Sequence, residues 1–201
     1  MLDHVFTDAI DSLRQSLEAA LLERLAHDER LHVDVLLGDL TWETSYGLLG
    51  EASPARVRAD INMQWSTWSQ SAFRDWYTGD GFSGPPRIDL EVTLRVQRLT
   101  SAPDVAAVYA ATPPRGPSLG NEPLYRSGPT VEQAHNQDLS QTAAAVEVAY
   151  SGGYELDEAA LEDSALVDVS FAEVGGWIAS SLVRLNDLGL DFLPSAVPDD
   201  L

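Results

Sequence analysis

The 201-residue chain contains no cysteine and no lysine. The first absence excludes disulfides, thiolate metal sites and cysteine nucleophiles. The second excludes a phosphate loop ending in Lys-Ser/Thr, Schiff-base chemistry and the ammonium that usually positions a phosphate. Positive charge of any kind is scarce, with 12 bases, all arginine, against 32 acids and a net charge of −20. Phosphate neutralisation needs clustered cations, so direct nucleic-acid binding is not expected. No apolar run approaches the ~20 residues of a membrane span, and no membrane partner is expected. The opening MLDHVFTDAIDSL carries acids where a signal peptide carries bases, which points to folding in a cytoplasm.

Recognisable chemistry is equally sparse. His4, His27, His32 and His135 stand far apart and never form a helical two-histidine metal pair. GDGFSG at 79–84 is neither a nucleophile elbow nor a dinucleotide fingerprint. Asp157, Glu158, Glu162 and Asp163 crowd together without the spacing of a calcium loop. Carboxylates are numerous enough that an acid–base pair can always be posed, and abundance without geometry identifies none. No catalytic residue, cofactor site or metal site is assigned.

The excess of acid is open to three readings: a GC-rich genome, adaptation to high salt, or a surface for a basic partner. It is uneven, since residues 127–201 hold 14 acids and only Arg184, whereas 1–126 hold 18 acids and 11 arginines. Arg56, Arg58, Arg87, Arg95 and Arg98 lie in or beside two long alternating segments. They are expected to pair across strands with Asp60, Asp89 and Glu91, or to meet another subunit's acids.

Those segments organise the chain. In 56–67, Val57, Ala59, Ile61, Met63 and Trp65 alternate with polar residues, and in 87–99 Ile88, Leu90, Val92, Leu94 and Val96 do the same. A period of two predicts two half-buried strands of one sheet. Residues 3–28 repeat apolar positions every three or four residues and predict one amphipathic helix. Strands are predicted at 31–39 and 40–49, and one or two helical turns between the long strands, where Phe73, Trp76 and Tyr77 share a face. Residues 104–111 are ambiguous between strand and helix.

Residues 112–142, with five prolines and three glycines, read as a flexible loop, an arm reaching a neighbouring subunit, or a lid. Leu119, Leu124 and Tyr125 are spaced there as docking anchors. Beyond it, Ser151-Gly152-Gly153 predicts a hairpin turn. The acidic run 157–163 predicts a turn or short helix, and 165–174 a strand. Residues 177–188 admit a hairpin partner or a helix, with the helical face cleaner, and the tail is expected to be irregular. Trp68, Trp76 and Tyr77 belong to an aromatic cluster around the inter-strand connection. It serves either as core or as an interface, where tryptophan and tyrosine are favoured.

The expected fold is therefore α+β: an antiparallel sheet of amphipathic strands covered by a long N-terminal helix, with a Pro/Gly-rich extended arm. Residues 1–111 form the helix-backed core, 112–142 the arm and 143–201 a β-rich remainder of the same domain. By order of elements over roughly 3–111, this layout resembles the tail-terminator, tail-completion and neck proteins of tailed viruses. The resemblance implies a non-enzymatic assembly protein of the virion, built in the host cytoplasm as a homo-oligomeric ring with other structural proteins. Trp68, Trp76, Tyr77, Leu119, Leu124 and Tyr125 would be its contact residues. Two other classes stay in play: an acidic binding protein that blocks a basic partner, such as an immunity-type protein or nucleic-acid mimic, and a carboxylate hydrolase.

Overall fold

A computed structural model describes residues 4–21, 32–33, 38–48, 55–80, 84–100, 105–135, 142–163 and 165–194. In chain order the elements are α1 (His4–Leu21), β1 (His32–Val33), β2 (Leu40–Gly47), β3 (Val57–Trp65), α2 (Thr67–Thr78), β4 (Arg87–Leu99) and α3 (Val105–Ala111). They continue with β5 (Arg115–Leu119), β6 (Glu122–Arg126), β7 (Thr130–His135), β8 (Thr142–Glu155), α4 (Glu158–Glu162) and α5 (Ala165–Asn186).

The two alternating segments become β3 and β4, paired antiparallel with Ile61 opposite Val92 and Trp65 opposite Ile88. Directly opposed residues share a face, so this register puts both apolar sets on one side and both polar sets on the other. β2 extends the apolar face with Trp42 opposite Met63, and β8 extends it with Val148 opposite Leu94 and Tyr150 opposite Val92. The sheet runs β1-β2-β3-β4-β8-β6-β5, and β7 also pairs with β8. β6 and β7 thus lie end to end along one edge of β8.

Two helices cover the apolar face. α1 buries Val5, Phe6, Ala9, Leu13, Leu17 and Leu21, and α5 buries Val167, Phe171, Val174, Ile178, Leu182 and Leu185. They run parallel, tied by the Ser12 hydroxyl donating to Asp168 at 2.9 Å and the Ser16 hydroxyl donating to the Ala172 carbonyl at 2.6 Å. α5 is long and apolar enough to cross a bilayer, but here its apolar side lies on α1 and the sheet. α2 replaces a simple turn between β3 and β4. The Ser66 hydroxyl accepts from the Ser69 N–H at its start, and the Asp39 carboxylate accepts from both the N–H and the hydroxyl of Thr67. Gly79, at φ 76°, closes it in the left-handed conformation.

The α+β architecture agrees with the expectation, and several local readings do not. The predicted 3–28 helix is described to Leu21, and residues 22–28 lie outside the described residues. So do most of the predicted 31–39 strand and residues 195–201 of the tail. Of the ambiguous 104–111, Val105–Ala111 is helical, as α3, and residue 104 lies outside the described residues.

Residues 112–135 are not an arm, because β5, β6 and β7 build them into the sheet. A two-residue Gly120-Asn121 connection joins β5 to β6, with Gly120 at φ 65°. Ser151-Gly152-Gly153 is not a turn but lies within β8, towards its C-terminal end. A Cβ at Gly152 would lie 2.8 Å from the Leu124 side chain, and one at Gly153 would strike the Arg87 guanidinium. These glycines admit close neighbours rather than a reversal.

Residues 165–174 are not a strand. Val167, Phe171 and Val174 follow the helical step, and the helix runs unbroken through Gly175-Gly176 into 177–186. The C-terminal part is consequently helical after β8 rather than β-rich.

Candidate interaction surface

Alternation leaves the second face of the sheet to polar side chains, and no described helix lies over it. β2 contributes Glu43 and Ser45, β3 Arg58, Asp60, Asn62 and Gln64, and β4 Arg87, Asp89, Glu91, Thr93 and Arg95. β8 adds Glu147 and Ser151. Antiparallel sheets tolerate one solvated face, so its polarity alone names no partner.

Most charge on this face is satisfied within the chain. Arg58 lies 2.9 Å from Asp60, and Arg87 lies 2.7 Å from Asp89 and 3.6 Å from Glu155. The Asn62 amide donates to Glu43 at 2.8 Å. Arg95 sits between Glu132, at 2.8 Å, and Glu147. Partial burial works against its charge, but the two carboxylates outweigh that cost and raise its pKa above the usual guanidinium value. The central arginines thus pair within the chain, but not as expected: Arg58 with Asp60 and Arg87 with Asp89 pair along a single strand, and the pairs that cross from β4 to β8 use Glu155 and Glu147 instead.

Two open depressions mark the surface. One, of about 420 Å³, is lined by Glu43, Ser45, Asp60, Asn62, Glu91 and Thr93. The other, of about 510 Å³, is lined by Gln64, Arg87, Asp89, Glu122, Tyr125 and Ser151, and shares Asn62 and Glu91 with the first. Together they make a shallow trough across the sheet. Its chemistry is hydrogen bonding and ion pairing in water-accessible surroundings. Among the described residues, no three His, Asp or Glu side chains gather so as to hold a metal ion.

The six candidate contact residues separate into three groups. Trp68, Tyr77 and Tyr125 are 53%, 67% and 51% exposed. Trp68 lies over Gly84, while Tyr77 stacks beside Phe73 with its outer side open. Tyr125 is on the polar sheet face beside the Arg115 guanidinium. Trp76 is half-buried against Phe73 and belongs to the edge of the core.

Leu119 and Leu124 are 1% and 0% exposed and are core residues, not docking anchors. Leu124 points to the helix side, where Gly116 and Trp177 approach it, and Tyr125 points the other way. Strand alternation buries one neighbour and exposes the next.

Periodicity also passed over β7, all six of whose residues are exposed. The Gly120-Asn121 turn signal could have suggested strands here, but Pro/Gly density hid it. Leu166 and Val169 add exposed apolar surface near the start of α5.

Comparison with known proteins returns no matching family model, no matching curated protein and no matching solved structure.

Proposed function

We propose that this chain is a non-enzymatic assembly subunit that associates with copies of itself and with other structural proteins. The observation that carries this reading is the exposure of Trp68, Tyr77 and Tyr125 in a molecule whose other large aromatics are mostly packed away. Exposed indole and phenol rings supply much area at low entropic cost, which is why they anchor interface centres. The assembly suggested by element order is a ring in the tail or neck of a tailed-virus particle. A projecting arm gives it no support, because residues 115–135 are strands of the sheet. Contact would be made through fixed surfaces rather than a reaching limb.

Light scattering across protein concentration, at low and high salt, tests it. The expected result is reversible self-association that weakens when Trp68→Ser and Tyr77→Ser are combined, with the circular dichroism unchanged. A chain that remains monomeric up to millimolar concentration at every salt would sink the proposal.

The trough favours a second reading, an acidic binder of a basic partner, through Glu43, Asp60, Asp89 and Glu91. Such a complex tightens sharply as ionic strength falls, and salt-insensitive binding overturns it.

A further inference from the structure

We propose that residues 190–194 are an exchangeable strand, which fills a slot at the end of β4 either in its own chain or in a second copy of it. The proposal rests on the self-association reading above and adds one exchanged strand to its fixed aromatic surfaces.

The slot begins where β3 stops. β3 pairs with β4 as far as Val57 opposite Val96, and the Gln97 N–H then donates to the Arg56 carbonyl at 2.8 Å. The register of β4 on β8 shifts between Val96 and Leu99. Inside that shift Arg98 stands at φ 63°, in the left-handed region that residues other than glycine rarely enter. Past the shift, Leu99 keeps Ala144 of β8 opposite it on one side and meets Phe192 on the other. The Leu193 N–H donates to the Arg98 carbonyl at 2.7 Å, and the Thr100 N–H donates to the Asp191 carbonyl at 3.1 Å. The segment that follows α5 thus lies end to end with β3, as an added strand.

Side chains mark the same slot. The Arg56 guanidinium lies over the Phe192 ring, 5.0 Å from its centroid, and the Arg98 guanidinium donates to the Pro194 carbonyl at 2.5 Å. Leu190 and Phe192 pack against the core while staying partly exposed. The Arg98 carbonyl and the Thr100 N–H need a strand beside them, and main-chain pairing does not distinguish which copy supplies it.

The connection allows both forms. The Asp187 N–H donates to the Val183 carbonyl at 3.0 Å and the Leu188 N–H to the Leu185 carbonyl at 3.4 Å, closing α5. Gly189, at φ 64°, then turns the chain back to β4. A helical φ at Gly189 would instead carry residues 190–194 onward along the α5 axis. The contacts inside the slot are the same in the closed and exchanged forms. What separates the two is the hinge conformation and the entropy of association, and exchange of an identical element is a low-cost route to assembly. The contact is directional, from donor segment to acceptor slot, which is the kind that passes from copy to copy around a ring.

Crosslinking of the full chain tests the proposal. The sequence lacks cysteine, and Thr100 and Asp191 are exposed, so chains carrying Thr100→Cys alone or Asp191→Cys alone should keep the native circular dichroism. Mixed and treated with a short bismaleimide, the two chains should link to each other several times faster than either links to itself. Exchange brings residue 191 of one copy beside residue 100 of another. A Cβ at Gly189 would meet nothing within 4 Å, so Gly189→Ala acts through its φ alone and strains the closed return. It should tighten self-association about fivefold or more in sedimentation. If the wild type associates, while the mixed chains fail to link and Gly189→Ala leaves association unchanged, strand exchange is overturned and self-association stands. If no chain associates or links, both fall.

Discussion

Gly175 and Gly176 are neighbours in α5 with different surroundings. A Cβ at Gly175 would fall on the Leu13 carbonyl oxygen and within 3.0 Å of the Leu17 nitrogen, so this glycine sets how closely α1 and α5 approach. At Gly176 the nearest atom would be the Ser16 hydroxyl oxygen at 3.7 Å, ordinary contact. Gly175→Ala is expected to destabilise the chain by about 1–3 kcal/mol, the usual range for overpacking. Gly176→Ala should be neutral or stabilising by up to about 1 kcal/mol through helix propensity. Urea denaturation of the two variants checks the contrast, and equal losses would mean that the helices do not meet at Gly175. From the sequence the pair is symmetrical, a Gly-Gly step that admits a break or a continuation. Only the neighbouring helix distinguishes them.

Elements that repeat over many residues were legible, and short ones were not. β3 and β4 alternate for most of their length, and no helical stripe fits them. α1 carries six buried positions at helical steps. By contrast, β5 and β6 are five residues each, too short for a period to emerge among prolines and glycines. Residues 165–174 read as a strand by themselves, and the helical step emerges only when the following twelve residues join them.

The hairpin of β5 and β6 accordingly changes role, from a docking limb to a wall of the core. Leu124→Ala should cost about 2–5 kcal/mol, as for a buried leucine, whereas Tyr125→Ala should change stability by less than about 1 kcal/mol. Thermal unfolding of both variants tests the assignment, and a harmless Leu124→Ala would return this leucine to the surface.

For the whole molecule, the largest force opposing compactness beyond chain entropy is self-repulsion at a net charge of −20. Raising salt from about 10 mM to about 1 M shortens the screening length from about 30 Å to about 3 Å. The melting temperature should therefore rise by several degrees with sodium chloride, as calorimetry would show. A fall would mean that ion pairs such as Arg95 with Glu147 and Glu132 outweigh the repulsion.

Composition and periodicity alone determined the α+β class, the central pair of strands, the covering N-terminal helix and the loss of thiol and ammonium chemistry. They do so because hydrophobic patterning and residue inventory are properties of the chain before it folds. Only tertiary structure decided that Leu119 and Leu124 are buried while Tyr125 is not, that Gly152 and Gly153 admit neighbours, and that β7 joins the sheet along β8. Each of those depends on which distant segment arrives beside it, and pairing between remote strands leaves no mark in either strand by itself.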